Sequence, residues 1–170
     1  LSQDDLTITG HSFEARLYAE DVPKGFLPAT GTLTHLKFPD GVRADSGVCG
    51  GDTISPFYDP MIAKVIVHGP TRDVALAKLS AALRDTQVAG TVTNLGFLGA
   101  LAAHKGFAAG DVDTGLIARD IEALTAVAVI TPAHWACAGM AALRLDTPKV
   151  DAGFSLWAPL RKSVALAREV

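Results

Sequence analysis

The stretch GHSFEARLYAED, Gly10–Asp21, sets how the rest of the chain is read. Its apolar and polar residues alternate with a period of two, as in a β-strand with one buried face. Phe13, Ala15 and Leu17 fall on the face turned to a core. Ser12, Glu14, Arg16 and Tyr18 fall on the other. A carboxylate and a guanidinium two residues apart on one strand face stand side by side. Most such pairs are solvated and contribute little to stability. The other reading is a cation aimed by a rigid strand at a group that reacts.

On either side of this strand the sequence is punctuated by turns. GFLPATG, 25–31, carries the Gly and Pro of a loop. TLTHLKF, 32–38, is expected to be a strand with Thr32, Thr34, Leu36 and Phe38 partly facing the core. PDG at 39–41 is a turn, so 32–38 and 42–48 are expected to pair as a hairpin. GGDTI reads as a further turn. Met61 to Lys64 reads as a helical turn or a bend leading into KVIVHG, 64–69, a short β-branched strand.

A helical period follows. In TRDVALAKLSAALRDT, Thr71 is the expected N-cap and Asp73 sits in the first turn. Leu76, Leu79 and Leu83, with Ala75 and Ala82, form its apolar stripe. Thr93 is expected to cap a second helix striped by Leu95, Leu98 and Leu101, with Gly106 at or just past its end. DTGLIARDIEAL, 113–124, is a shorter helix. Strands first and helices later argue for an α+β fold, an antiparallel sheet with helices packed on it. Near 124–126 the composition turns Ala-rich, with helix starting or broken at Pro132. Residues 125–170 therefore read as a linker and the truncated start of a following domain.

The chain has 170 residues, 49% hydrophobic and 19% charged, enough apolar content for a packed core. The net charge of -3 and the lack of a basic run give no support for nucleic-acid binding. The longest apolar stretch, Ala123 to Ile130, is too short to span a bilayer, and no signal peptide opens the chain. Its first residue is Leu1, and LSQDDLTITG reads as mid-protein sequence, so a fragment of a larger polypeptide is expected. Cys49 and Cys137 have no CxxC partners, which indicates two buried or incidental thiols in a reducing compartment.

Motifs that would carry independent chemistry are missing. His11, His35, His68, His104 and His134 share no i, i+4 spacing, so no metal site is expected. GVCGGD lacks the frame of a phosphate loop, and there is no nucleophile elbow. Without a nucleophile–base pair or a ligand set, an independent hydrolase or metal enzyme has no support. In SPFYDPMIAKVIVHG, Asp59 precedes Pro60, where a carboxylate ordinarily caps backbone N–H groups.

Taken in series, GHSFEARLYAEDVPKGFLPATGTLTHLKFP, GVRADSGVCGGDTISPFYDPMIAKVIVHG, TRDVALAKL, the TN at 93–94 and GDVDTGLI resemble the C-terminal domain of biotin carboxylase. The resemblance covers residues 1–124. YDPMIAKVIVHGPTR and VDTGLIARD look most like the α subunits of methylcrotonyl-CoA carboxylases, which act in leucine degradation. Propionyl-CoA, acetyl-CoA and urea carboxylases use similar wording. AGFSLWAPLRKSVAL resembles the start of the domain that docks α on β subunits.

The resemblance implies a ligase that carboxylates biotin with ATP and bicarbonate. Biotin is held on a carrier domain, and an ATP-grasp part of the same polypeptide holds ATP and Mg²⁺. A carboxyltransferase β subunit is the implied partner. The implied location is the bacterial cytoplasm, or the mitochondrial matrix in a eukaryote. Arg16 matches the family's arginine that stabilises negative charge on the biotin ureido oxygen. Glu14 is expected to orient it, and Asp59 to support the site. Tyr58 and Lys64 are expected to be structural. The ATP-grasp loop, metal-binding carboxylates, general base and biotinylation motif do not occur in the chain. The segment alone is therefore expected to be inactive and to bind no cofactor. The competing expectation is a self-standing interaction domain.

Overall fold

In the structure, a computed structural model that describes residues 1–126, 129–144 and 163–166, the alternation around Arg16 becomes strand β1 (His11–Tyr18). Eight further strands follow: β2 (Glu20–Asp21), β3 (Leu27–Pro28), β4 (Gly31–Thr32), β5 (His35–Lys37), β6 (Arg43–Ser46), β7 (Thr53–Ile54), β8 (Met61–Gly69) and β9 (Gln87–Ala89). Helices α1 (Arg72–Asp85), α2 (Leu95–Ala103), α3 (Lys105–Ala109) and α4 (Leu116–Leu124) come after β8, with β9 between the first two. All of these lie in one compact unit, Leu1–Ala126. The second unit, Val127–Val170, contributes α5 (Pro132–Ala142), with proline at its start as a helix N-terminus tolerates. All of AGFSLWAPLRKSVAL except residues 163–166 lies outside the described residues.

The principal sheet has the order β1-β8-β6 and is antiparallel throughout. β8 lies in the middle because it is the long apolar strand: Ile62, Ala63, Val65, Val67 and Gly69 are all buried. Ala15 and Leu17 of β1 are buried beside it, and Glu14 and Arg16 are exposed, as the alternation requires. α1 lays Ala75, Leu76, Leu79, Ala82 and Leu83, the expected stripe, against Ala15, Val65 and Val67. Thr71 caps it by accepting from the Val74 N–H at 3.3 Å. A second cluster around Leu17, Leu33, Ile54 and Ile62 closes the other end of the sheet.

Several expectations give way. Residues 32–38 and 42–48 do not form a hairpin. β6 pairs with β8, and β5 pairs with β9, fifty residues later in the chain. The run 32–38 is also not one strand. The Leu33 N–H donates to Asp52 and the next N–H, of Thr34, donates to Ala89, so successive residues serve different neighbours. That break lets Leu33, assigned to the outer face, become fully buried. Part of GGDTI is not turn but β7, which pairs with β4. Met61–Lys64 is strand from its first residue, with no helical turn. In α2, Phe97 and Ala102 are the buried residues while Leu95, Leu98 and Leu101 are half-buried. The helix is apolar on most sides because it touches three clusters at once. α2 ends at Ala103, and Gly106 belongs to α3.

Candidate functional site

The Arg16 guanidinium reaches along the exposed face of β1. Its Nε donates to Glu14 Oε1 at 3.1 Å. The two side chains are 60% and 40% exposed, so the pair adds little to stability and leaves the guanidinium accessible. The Glu14 hydrogen bond and charge, with a lesser contribution from Tyr18, hold the Arg16 pKa above its ordinary value. Arg16 is a permanent cation at any working pH.

Below this pair a cleft of about 350 Å³ opens along the edge of β1 away from β8. Glu14, Arg16, Tyr18 and Glu20 form its polar rim. Phe13, Leu98, Leu101 and Phe107 supply an apolar floor. A mostly apolar recess with a few convergent polar groups suits an organic ring carrying one polar edge. Glu20 sits half-buried at the rim. Burial, and then the nearby Asp59 charge, push its carboxyl above the usual range.

Asp59 is not among the residues lining the cleft. It is exposed, and its Oδ1 accepts from the Met61 N–H at 3.0 Å, a turn cap at the entry to β8. The structure therefore brings Glu14 and Arg16 together and leaves Asp59 outside the cleft, as a turn cap whose charge is the lesser cause of the raised Glu20 pKa. Lys64 stands directly across the sheet from Arg16, in register with it. Tyr58 is 85% exposed.

Asn94 is the residue that the sequence reading passed over. Thr93 was expected to cap α2, but Asn94 holds the N-cap position, and its side chain makes no cap bond. The side chain is turned to β1 instead. Its Oδ1 accepts from the Tyr18 N–H at 2.9 Å, and its Nδ2 donates to the Arg16 carbonyl at 3.2 Å. The TN at 93–94 was the available signal, but nothing local ties it to a strand 76 residues earlier.

A larger cleft, about 640 Å³, lies between β6, β8 and α1. Its cations are engaged within the chain. Arg43 forks onto Asp45 at 3.0 and 2.9 Å, and Lys78 donates to the His68 carbonyl at 2.9 Å. Cys49 donates to Asp52 at 3.3 Å, and that carboxylate raises the thiol pKa, which disfavours a reactive thiolate. Among the described residues no group of three or more His, Cys, Asp or Glu converges as a metal site. Nor is any described helix long and apolar enough to cross a membrane.

A family model described as the biotin carboxylase C-terminal domain matches residues 14–119. The α subunit of mitochondrial methylcrotonoyl-CoA carboxylase from Arabidopsis thaliana is 54% identical over 120 residues, 69% of this chain. The chain spans 16% of that relative. Biotin carboxylase 2 of Bacillus subtilis is 49% identical over 71% of this chain and 27% of its own length. Among solved structures, the biotin carboxylase domain of Hydrogenobacter thermophilus 2-oxoglutarate carboxylase superposes with a TM-score of 0.72 at 32% identity. It covers 75% of this chain and 29% of that one. Kluyveromyces lactis urea carboxylase superposes with a TM-score of 0.64 at 42% identity, over 68% of this chain and 10% of that one. The chain belongs to the biotin carboxylase C-terminal domain family.

Proposed function

We propose that residues 1–124 form one wall of the biotin site in a biotin-dependent carboxylase, most like the α subunit of a methylcrotonyl-CoA carboxylase of leucine degradation. An ATP-grasp part of the complete polypeptide would hold ATP and Mg²⁺ and activate bicarbonate. A carrier domain would present biotin, which supplies the ureido nitrogen that accepts the carboxyl group. Residues 125–170 would lead into the domain that docks a carboxyltransferase β subunit. The setting would be the bacterial cytoplasm or the mitochondrial matrix.

The observation that carries this reading is the exposed Arg16, aimed by β1 and steadied by Glu14 at the rim of an apolar recess of suitable size. Carboxylation at a ureido nitrogen develops negative charge on the ureido oxygen. A planar, permanently charged donor on a rigid strand stabilises that charge where it forms. Glu14 neutralises part of the cation and limits its rotamers. Asp59 acts one step further out, as a turn cap whose charge reaches Glu20.

The test uses the complete polypeptide carrying this segment. Arg16→Ala should lower kcat for bicarbonate-dependent biotin carboxylation roughly 10²- to 10³-fold, the usual loss for one preorganised oxyanion donor, with ATP affinity nearly unchanged. Arg16→Lys keeps the charge but not the fork and should recover only part. Normal turnover in both variants, with a lowered Tm that Glu14→Gln reproduces, would mark the pair as purely structural.

A further inference from the structure

We propose that Asn94 is a positioning residue for Arg16, an inference that rests on the catalytic reading of Arg16 above. β1 is laddered to β8 along one edge only; Arg16 is in register with Lys64, and the ladder becomes irregular just beyond it. The register shifts between Leu17 and Tyr18, and regular bonding resumes with the Ala19 N–H donating to the Pro60 carbonyl at 3.0 Å. A strand bends most easily at such an irregularity. Arg16 lies just before this irregularity, so a bend of the strand there would redirect its side chain.

Asn94 takes the place of a neighbouring strand on the other edge. Three hydrogen bonds join one residue to two residues of β1. The side-chain oxygen accepts from the Tyr18 N–H, the side-chain nitrogen donates to the Arg16 carbonyl, and the Asn94 backbone N–H donates to the Tyr18 carbonyl at 3.1 Å. The amide orientation is fixed by these partners, because the Tyr18 N–H can only donate and the Arg16 carbonyl can only accept. Asn94 is 5% exposed, so water does not readily replace it. Its own carbonyl accepts the Leu98 N–H at 2.9 Å, which ties the clamp to the first turn of α2.

Asparagine is a preferred N-cap because its side chain can satisfy the helix's first N–H groups. Here the residue occupies the N-cap position and gives that interaction up. Its side chain serves the β1 backbone at Arg16 and Tyr18, so helix stability does not account for it. Losing it would leave the Tyr18 N–H and the Arg16 carbonyl without their partners at a part-buried edge and let the strand shift.

The test is a double-mutant cycle in the complete polypeptide, combining Asn94→Ala with Arg16→Ala. A misaligned donor should lower kcat about 10- to 10²-fold in Asn94→Ala, with the KM for ATP unchanged. In the Arg16→Ala background the same substitution should cost less than about twofold, since no donor is left to aim. Asn94→Asp preserves the acceptor for Tyr18 but sets an oxygen against the Arg16 carbonyl. It should show the same dependence on Arg16. Equal losses in both backgrounds, tracking Tm, would overturn the proposal while leaving Arg16 catalytic. Failure of both Asn94 variants to fold would also overturn it, by making Asn94 a folding residue. Wild-type turnover in Arg16→Ala alone would overturn the catalytic reading and this inference together.

Discussion

Burial, and then the Asp59 charge, push the pKa of the Glu20 carboxyl upward. The folded state therefore holds its proton more tightly than the unfolded chain. Stability from this group is fully present below the ordinary carboxylate range and is lost as pH rises through the folded value. Glu20→Gln should raise Tm at neutral pH, and the difference should vanish near pH 4. Melting curves at the two pH values check this, and an unchanged or lower Tm at pH 7 would contradict it. Glu14 and Arg16 could be found in the sequence because a period of two places neighbours on one face without knowledge of the rest of the fold. Asn94 could not. Its partners are 76 and 78 residues away, and the local pattern pointed to Thr93 as the helix cap.

Periodicity identified the buried residues of elements that turn one face to the core, such as β1 and α1, but not those of α2, which packs on several sides, nor the partners of strands paired far along the chain. α1 buries the five residues its spacing marks, because one face of it meets one sheet. The stretch 32–38 misled because alternation cannot say which strand a residue will pair with, and here the partner changes between Leu33 and Thr34. Gly90 secures that exchange. At φ +106° it follows β9 directly, and a Cβ there would collide with the Thr32 carbonyl oxygen at the end of β4. Gly25 has a comparable φ of +81° but open space around it. Gly25→Ala should cost about 1–2 kcal/mol, the conformational term alone. Gly90→Ala should cost more, because the β4 and β9 backbones must also separate. Urea unfolding of the two variants measures the difference, and equal losses would contradict the close approach.

For the whole molecule, the α+β class followed from strands preceding helices, and membership of the family is carried by residues 14–119. The working site is proposed to be shared, with Arg16 and its supports on this segment and the nucleotide machinery on another part of the polypeptide. The expectation of that division rests on motifs that the sequence does not contain. The cleft itself became visible only when β1, α1 and α2 were brought together. The division is tested most directly by bicarbonate- and biotin-dependent ADP release, measured on this chain alone and on the complete polypeptide. The account predicts release from the complete polypeptide, none from the chain above a heat-inactivated control, and no rise in the chain's Tm with MgATP. ADP release by the isolated chain, or its stabilisation by nucleotide, would contradict it.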